Sequence, residues 1–201
     1  MDAELIDKCR DPALTPAIVE QFVAAAGSDD PLAITIKADG RLVLIPKPQS
    51  TEGALAVVKE YAGHAMVRVG LTQFPAGLGI RDVSHMQASL FEPCENLRTG
   101  TALFAKVARI VTQWYGQPTN PELLPQLFDD AVVAWRNGSF EGENIFKADD
   151  PGGPTFFTGE AVPPRSPLFN ASVPARQPLS DDAVPDVGMR VDLSRIQGDR
   201  Q

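Results

Sequence analysis

The dipeptide Asp39-Gly40 constrains the fold of this chain more than any other sequence feature. It separates two short runs of β-branched and apolar residues, at positions 33–37 (AITIK) and 41–46 (RLVLIP). Two-residue hairpin loops need positive φ angles at both central positions, and Asp-Gly is among the pairs that adopt them most readily. Pro46 ends the second run because it has no backbone N–H for a strand partner. The sequence therefore predicts a β-hairpin.

Amphipathic helices are predicted on both sides of this hairpin, because apolar residues recur there at three- and four-residue intervals. In the first helix, Thr15 is the expected N-cap, Pro16 occupies the first helical position and Gly27 follows the last turn. The predicted helices cover residues 15–26, 50–62, 95–114 and 121–136, and a short strand-like run covers residues 65–71. The expected class is therefore α+β, mainly helical, with a small hairpin-bearing lobe.

The composition changes after about residue 147. Eight of the 18 prolines fall within residues 151–201, among glycine, serine and aspartate. Such a segment buries little apolar surface and favours extended backbone. We therefore expect one domain over residues 1–150 and a proline-rich extension over residues 151–201. The extension is expected to be extended or partly disordered, and either to wrap the domain or to dock a partner.

The net charge of −8 disfavours several classes of partner. Binding to a phosphate backbone needs a basic face, so nucleic acid is not an expected partner. No run of 18 apolar residues is present, so no membrane insertion is expected. The first eight residues, MDAELIDK, lack the basic and apolar regions of a secretory signal, which predicts a cytoplasmic location.

No cofactor or metal site is expected from the sequence. The chain contains two cysteines and two histidines, and the spacing of Cys9, Cys94, His64 and His85 matches no zinc pattern. It also contains no glycine-rich loop of the kind that binds phosphate groups. The two cysteines are therefore predicted to have a structural role, either as thiols or as a disulfide.

The strongest functional signal comes from three segments, at residues 30–34 (DPLAI), 70–74 (GLTQF) and 91–100 (FEPCENLRTG). In their order and spacing they resemble the lytic transglycosylases of bacterial conjugation and type IV secretion. The resemblance covers about residues 9–146 and implies a lysozyme-like fold. It also implies that Cys9 and Cys94 lie close together, as in the relatives that pair them. In a reducing cytosol we expect both as free thiols.

The catalytic acid of that family is missing from this chain. Its members usually place a glutamate at the end of the first long helix, five residues before the Pro-Leu-Ala-Ile run, and Ala26 occupies this position here. Lysozyme-type cleavage needs a protonated carboxyl group, which alanine lacks. Glu20 lies about 120° around the helix and about 9 Å along its axis from that position. Asp29 and Asp30 follow the helix in a turn, so no catalytic residue is predicted.

The resemblance also assigns residues to a sugar-binding groove. Gly70, Thr72 and Gln73 occupy the family's Gly-Leu-Met-Gln segment, in which the glutamine side chain bonds substrate amides and the glycine lets the backbone approach. The alternative for Gln73, which we favour, is that it satisfies backbone groups in a cleft without function. The same resemblance implies that Asn96 caps the helix that begins near residue 95.

A second departure from the family occurs at residues 134–140 (AWRNGSF), where its members have Ala-Tyr-Asn-Thr-Gly. Trp135 takes the tyrosine position, either as a groove-lining residue or as a core aromatic residue. Arg136 puts a long cation where the family has a compact amide, and Asn137 follows it. This change also indicates that the catalytic constraint has been relaxed.

These departures predict a catalytically inactive relative of the lytic transglycosylases. We expect a binding or regulatory module whose partner is a protein component of a conjugation or type IV secretion machinery, for example a fertility inhibition factor. The alternative is an active, periplasmic lytic transglycosylase that opens the peptidoglycan for such an apparatus. A third hypothesis is an exported, inactive glycan-binding module.

Overall fold

The predicted hairpin is present in the computed structural model, which describes residues 2–78 and 82–158. Strand β1 spans Ile34–Ala38 and strand β2 spans Arg41–Val43, and the two pair antiparallel. Asp39 and Gly40 between them have φ angles of +50° and +75°, as a tight two-residue turn requires. The hairpin prediction is confirmed, but β2 ends at Val43, three residues before Pro46.

The hairpin belongs to a four-stranded antiparallel sheet with strand order β2-β1-β3-β4. Strand β3 spans Met66–Val69 and β4 spans Phe74–Pro75. Alternate residues of a strand lie on opposite faces, so the register gives the two faces of this sheet different polarity. One face carries Ile34, Ile36, Val43, Val67 and Val69. The opposite face carries Thr35, Lys37, Leu42, Met66 and Arg68.

Five α-helices occur in the described residues. They are α1 (Ala3–Cys9), α2 (Pro16–Ala26), α3 (Thr51–Tyr61), α4 (Pro93–Trp114) and α5 (Leu124–Asn137). Helices α2 to α5 confirm the four predicted helices to within about three residues at each end. Helix α1 was not predicted, and its N-cap is Asp2, whose carboxylate accepts the Glu4 N–H at 3.0 Å. None of these helices is long and apolar enough to cross a bilayer.

The larger core lies between α2, α4 and α5. Phe22 stacks on Phe104 with ring centroids 3.9 Å apart, and Trp135 meets Phe22 edge-on at 5.2 Å. All three side chains are fully buried, and aromatic residues bury more area than any others. The apolar residues of α4 face this core, and Leu103 and Ile110, which are partly buried, pack against its edge.

A smaller core packs the apolar face of the sheet against α3. Ala54 and Val58 of α3 are fully buried there, together with Ile36 from the centre of the sheet. The domain therefore combines a helical core with a core between the sheet and α3, and the α+β class is confirmed.

A disulfide joins Cys9 at the end of α1 to Cys94 in the first turn of α4. The two residues are 85 positions apart in sequence, and their Cα atoms are 5.1 Å apart. The structure therefore has a bridge where free thiols were expected, because packing of α1 on α4 brings the side chains within bonding distance.

Residues that follow position 150 pack against the helical core. Thr155 and Phe157 are buried, and the Thr15 N–H donates a hydrogen bond to the Phe157 carbonyl at 3.3 Å. The start of the predicted extension thus packs against the beginning of α2. Its remainder, residues 159–201, lies outside the described residues.

Candidate functional site

A cavity of about 450 Å³ lies where the end of α2, the polar face of the sheet and the end of α5 meet. It is lined by residues 24–27, Thr35, Lys37, Arg68, Gln73, Trp135 and Arg136. Four positions that the sequence placed in the site, Ala26, Gln73, Trp135 and Arg136, are therefore brought together from distant parts of the chain. We refer to this space as the α2-end cavity.

The turn that ends α2 fixes the position of Ala26. The Gly27 N–H donates to the Val23 carbonyl at 2.8 Å, and the Ser28 N–H donates to the Leu71 carbonyl at 2.8 Å. A Cβ atom on Gly27 would lie 2.2 Å from the Leu71 oxygen, so this approach requires glycine. Ala26 therefore lies in the last turn of the helix, at the cavity wall.

A cation contacts the end of α2 at the residue before the expected acid position. The Arg136 guanidinium donates a hydrogen bond to the Ala25 carbonyl. Carbonyl groups of the last helical turn carry the negative end of the helix dipole, so a guanidinium is favoured there. Among the described residues that line the α2-end cavity, none has a carboxyl group. This part of the structure offers no proton donor of the kind that glycosidic cleavage uses.

The acids considered as replacements lie outside the α2-end cavity. Glu20 and Asp29 line an adjoining cavity of about 550 Å³, which shares Ala24 with the first. Asp30 pairs with Lys47 at 2.8 Å, and this contact lowers the pKa of the Asp30 carboxyl group. Asp30 is therefore ionised near neutral pH. No cluster of side chains within residues 2–78 and 82–158 could hold a metal ion.

Arg68 is a buried cation of the α2-end cavity, with only 7% of its surface exposed. Its guanidinium donates to the Gln73 carbonyl at 3.2 Å, to the Arg136 carbonyl at 3.2 Å and to the Trp135 carbonyl. It also lies 5.7 Å from the ring centroid of Trp135 and 5.5 Å from that of Phe146, and aromatic rings attract cations at such distances. Burial lowers the pKa of Arg68 to about 10, so it stays charged at neutral pH.

Gln73 lies in a left-handed backbone conformation beside Arg68. Its φ angle is +52°, which is costly for a residue that has a side chain. The side-chain amide donates to the Gly70 carbonyl at 3.1 Å, and the residue is 7% exposed. The side chain assigned to substrate amides is thus bonded to its own loop, as the alternative hypothesis for Gln73 describes.

Thr72 does not line the cavity, and its assignment to the groove is corrected here. It is fully buried, and its N–H and hydroxyl both donate to the Asn96 Oδ1 at 2.9 Å. The Asn96 Nδ2 donates in turn to the carbonyls of Val69 and Leu90 at 3.1 and 2.9 Å. Gly70 packs so closely on this amide that a Cβ atom would lie 2.3 Å from Nδ2. Gly70 and Thr72, in the loop after β3, therefore have a structural role.

Asn96 also differs from its expected position as a helix cap. Helix α4 begins at Pro93 with Glu92 as its N-cap, so Asn96 lies inside the first turn. Its side chain is buried and holds the loop after β3 onto the helix, as described above. One turn later, Gly100 allows Thr72 to approach, since a Cβ atom there would lie 2.1 Å from the Thr72 Oγ1.

Trp135 is a core aromatic residue in the structure. Its side chain is fully buried, and the indole N–H donates to the Thr72 carbonyl at 3.2 Å. Phe146 meets the indole edge-on at 5.5 Å. Asn137, the last residue of α5, is exposed and does not line the α2-end cavity.

Sequence reasoning missed Lys37 and Arg68 as site residues. A signal for Arg68 was present, because it is a lone charge between Val67 and Val69 in a strand-like run. Alternation along a strand puts such a residue on the face opposite to its apolar neighbours. Lys37 joins Arg68 on that face through the pairing of β1 with β3, and only the observed register reveals this.

Comparison with known proteins places the chain in a family. The family described as TraH_2 matches residues 1–197. A relative named "Uncharacterized protein y4dP", from Sinorhizobium fredii (strain NBRC 101917 / NGR234), is 50% identical over 199 residues, which is 98% of this chain and 99% of the relative. No solved structure is detectably similar to the chain. Since the family match covers almost its whole length, the chain belongs to the TraH_2 family.

Proposed function

We propose that this TraH_2 protein is a catalytically inactive, lytic-transglycosylase-like binding module of a conjugation machinery. Membership of the TraH_2 family supports the connection with conjugal transfer. A lysozyme-like fold, implied by the motif resemblance, is part of this proposal. The α2-end cavity is the proposed binding site, because it joins the segments in which the motifs lie.

The observation that carries the proposed inactivity is the guanidinium at the end of α2. A lytic transglycosylase needs a carboxyl group that stays protonated near neutral pH, and apolar surroundings raise its pKa for this purpose. Lys37, Arg68 and Arg136 line the cavity, and nearby cations lower the pKa of a carboxyl group. The electrostatics of the α2-end cavity therefore oppose general acid catalysis.

Clearing of purified peptidoglycan tests the proposed inactivity. We expect the turbidity to stay constant with the wild-type protein. We expect the same with Ala26→Glu, because Arg136 remains beside the introduced carboxyl group. An active lytic transglycosylase serves as the positive control. Clearing by the wild-type protein would contradict the proposal.

Mating assays test the proposed role in conjugation. Deleting the gene is expected to lower the transfer frequency if the protein is a working component of the machinery, and to raise it if the protein is a fertility inhibition factor. Arg136→Gln should reproduce the direction of the deletion if the α2-end cavity is used. Lys8→Gln, on the exposed side of α1, is the matched control. A deletion without any effect on transfer would rule out both forms of the proposal.

An active peptidoglycan lytic transglycosylase is the competing proposal. It is favoured by one feature, the presence of Glu20 and Asp29 in the adjoining cavity. If the wild-type protein clears peptidoglycan, the variants Glu20→Gln and Asp29→Asn identify the displaced acid, since each keeps the shape of its side chain and removes the carboxyl group.

The compartment remains a prediction. A cytoplasmic location is one proposal, and the periplasm is the alternative, because the disulfide between Cys9 and Cys94 is of a kind that persists in oxidising compartments. Thiol labelling of the protein in intact cells distinguishes the two, because only the reduced protein reacts. An oxidised protein that is retained on peptidoglycan without clearing it would support the glycan-binding hypothesis.

A further inference from the structure

We propose that the α2-end cavity binds the carboxylate side chains of an acidic peptide segment of a protein partner. This inference rests on the proposed function, because it names the ligand of the same cavity. It involves binding alone and no chemical step.

Three cations converge on the α2-end cavity in a chain whose net charge is −8. Lys37, Arg68 and Arg136 line it, and the described lining residues include no carboxyl group. Within residues 2–78 and 82–158, none of the three forms an ion pair with a carboxylate. Cations that converge in a cleft without neutralising partners attract anionic groups. The charge of the cavity therefore selects for an anion.

Arg68 supplies a fixed anion-binding group. Its hydrogen bonds to three backbone carbonyls use three of the five N–H donors of a guanidinium. The described residues provide no acceptor for the other two donors. A guanidinium that is already held in place loses little freedom when a carboxylate binds. Lys37 and Arg136 are both exposed, so they are accessible to a ligand that enters from solvent.

The surface beside the cavity favours a peptide over a small anion. Leu42 of β2 and Met66 of β3 are the direct cross-strand neighbours of Lys37, on the same face of the sheet. Their side chains are 59% and 40% exposed. Leu44, just after β2, is 88% exposed. In the described sheet β2 is an edge strand, and edge strands accept extended peptides. Leu42, Leu44 and Met66 together form an exposed apolar strip beside the cavity. A peptide with both carboxylate and apolar side chains could contact the cations of the cavity and this strip at the same time.

Fluorescence anisotropy with two labelled peptides tests the ligand class. One hexapeptide alternates glutamate and leucine, the other alternates glutamine and leucine, and both have blocked ends. They share size and apolar content and differ only in charge. We expect the full-length protein to bind the acidic peptide about tenfold more tightly, with an advantage that shrinks as salt is added. Equal affinities for the two peptides would overturn the proposal.

Charge-removing variants locate the binding site. We expect Lys37→Gln and Arg136→Gln each to weaken binding of the acidic peptide about threefold or more. Lys8→Gln removes the same charge from an exposed position on α1 and should leave the affinity unchanged. Circular dichroism and thermal melting verify that each variant is folded. Equal weakening by all three substitutions would overturn the proposal, because it would indicate unspecific attraction.

Competition by inorganic phosphate separates a peptide site from a site for any small anion. We expect phosphate to displace the acidic peptide only at concentrations at which sodium chloride of equal ionic strength also does so. Displacement by phosphate far below that ionic strength would overturn the peptide assignment. Peptidoglycan clearing and mating frequency test the proposed function separately, so failure of the peptide experiments alone overturns only the ligand class.

Discussion

The Arg136 guanidinium donates a hydrogen bond to the carbonyl of Ala25, and it thereby connects the end of α5 to the end of α2. Ala25 immediately precedes Ala26, the position where the resembling family carries its catalytic glutamate. One departure from the family, Arg136, therefore contacts the residue next to the other, Ala26, and both line the α2-end cavity. Restoring the acid alone would place it beside a cation.

A carboxyl group introduced by Ala26→Glu is expected to have a pKa below that of an ordinary glutamate, because the neighbouring guanidinium favours its charged form. In the double variant Ala26→Glu/Arg136→Gln, the pKa should rise toward the ordinary value. NMR titration of ¹³C-labelled glutamate side chains measures both. Identical pKa values in the single and double variants would show that Arg136 does not act on this position.

Two helical glycines are expected to respond oppositely to alanine. Gly100→Ala should destabilise the fold by about 1–3 kcal/mol, because the new Cβ would lie 2.1 Å from the buried Thr72 hydroxyl. Gly53→Ala in α3 should stabilise it by about 0.5–1 kcal/mol, since its Cβ would meet only the Ser50 hydroxyl at 3.4 Å. Urea unfolding measures both changes. Equal changes in the free energy of unfolding for the two variants would contradict the close packing of Thr72 on α4.

Asn96→Ala is expected to lower the free energy of unfolding by about 3 kcal/mol. The side chain is buried and makes hydrogen bonds with Thr72, Val69 and Leu90, whose polar groups would lose a partner. Asn137→Ala, at an exposed helix end, is the matched control and should change stability by less than about 0.5 kcal/mol. Chemical denaturation of both variants gives the comparison, and similar values would argue against the network around Asn96.

Reduction of the Cys9–Cys94 disulfide is expected to destabilise the domain by about 4.5 kcal/mol at most. The bridge closes a loop with a sequence separation of 85 residues, and cross-linking such a loop restricts the unfolded chain. Thermal melting with and without reductant measures the effect. The double variant Cys9→Ser/Cys94→Ser is the control, because its melting temperature should not respond to reductant.

The ion pair between Arg109 and Asp150 predicts a pH-dependent contribution to stability. The Arg109 Nε donates to the Asp150 Oδ1 at 2.7 Å, and this contact lowers the pKa of the Asp150 carboxyl group below 3.8. Stability from a lowered pKa is present above the unfolded value and is lost as the pH falls through the folded value. The Asp150 side chain is 40% exposed, so we expect about 1 kcal/mol or less.

Asp150→Asn should therefore lower the free energy of unfolding by about 1 kcal/mol or less at pH 7 and by almost nothing at pH 2. Asp149→Asn changes the charge of the neighbouring exposed residue and serves as the control. Urea unfolding at the two pH values provides the test. A loss of the same size at pH 2 would show that the effect is not electrostatic.

Local signals in the sequence predicted the elements of the fold better than the site. Thr15 and Gly27 mark the ends of α2, because helix capping depends on residues next to the helix in the sequence. Asp39-Gly40 marks the hairpin, because a two-residue turn likewise depends only on adjacent residues. Helix α1 was missed because it is a single short element of seven residues.

The contacts of the site depend on residues far apart in sequence. Arg68 binds carbonyls of α5, 67 and 68 positions later, and no local pattern encodes that distance. Thr72 was assigned to the groove by its place in a motif, but the buried Asn96 side chain draws it into the core. Motif position thus predicted which segments meet, whereas tertiary packing decides which side chains remain accessible.

The hydrogen bonds of Arg68 also determine how the α2-end cavity can move. One planar guanidinium spans the loop after β3 and the last turn of α5, so the separation of these two walls is set by the size of a single chemical group. Widening the space would require breaking several bonds at a buried position, where lost hydrogen bonds are costly. The two walls of the cavity are therefore held at a fixed separation, and substitutions at exposed wall positions change the charge of the cavity far more easily than its width.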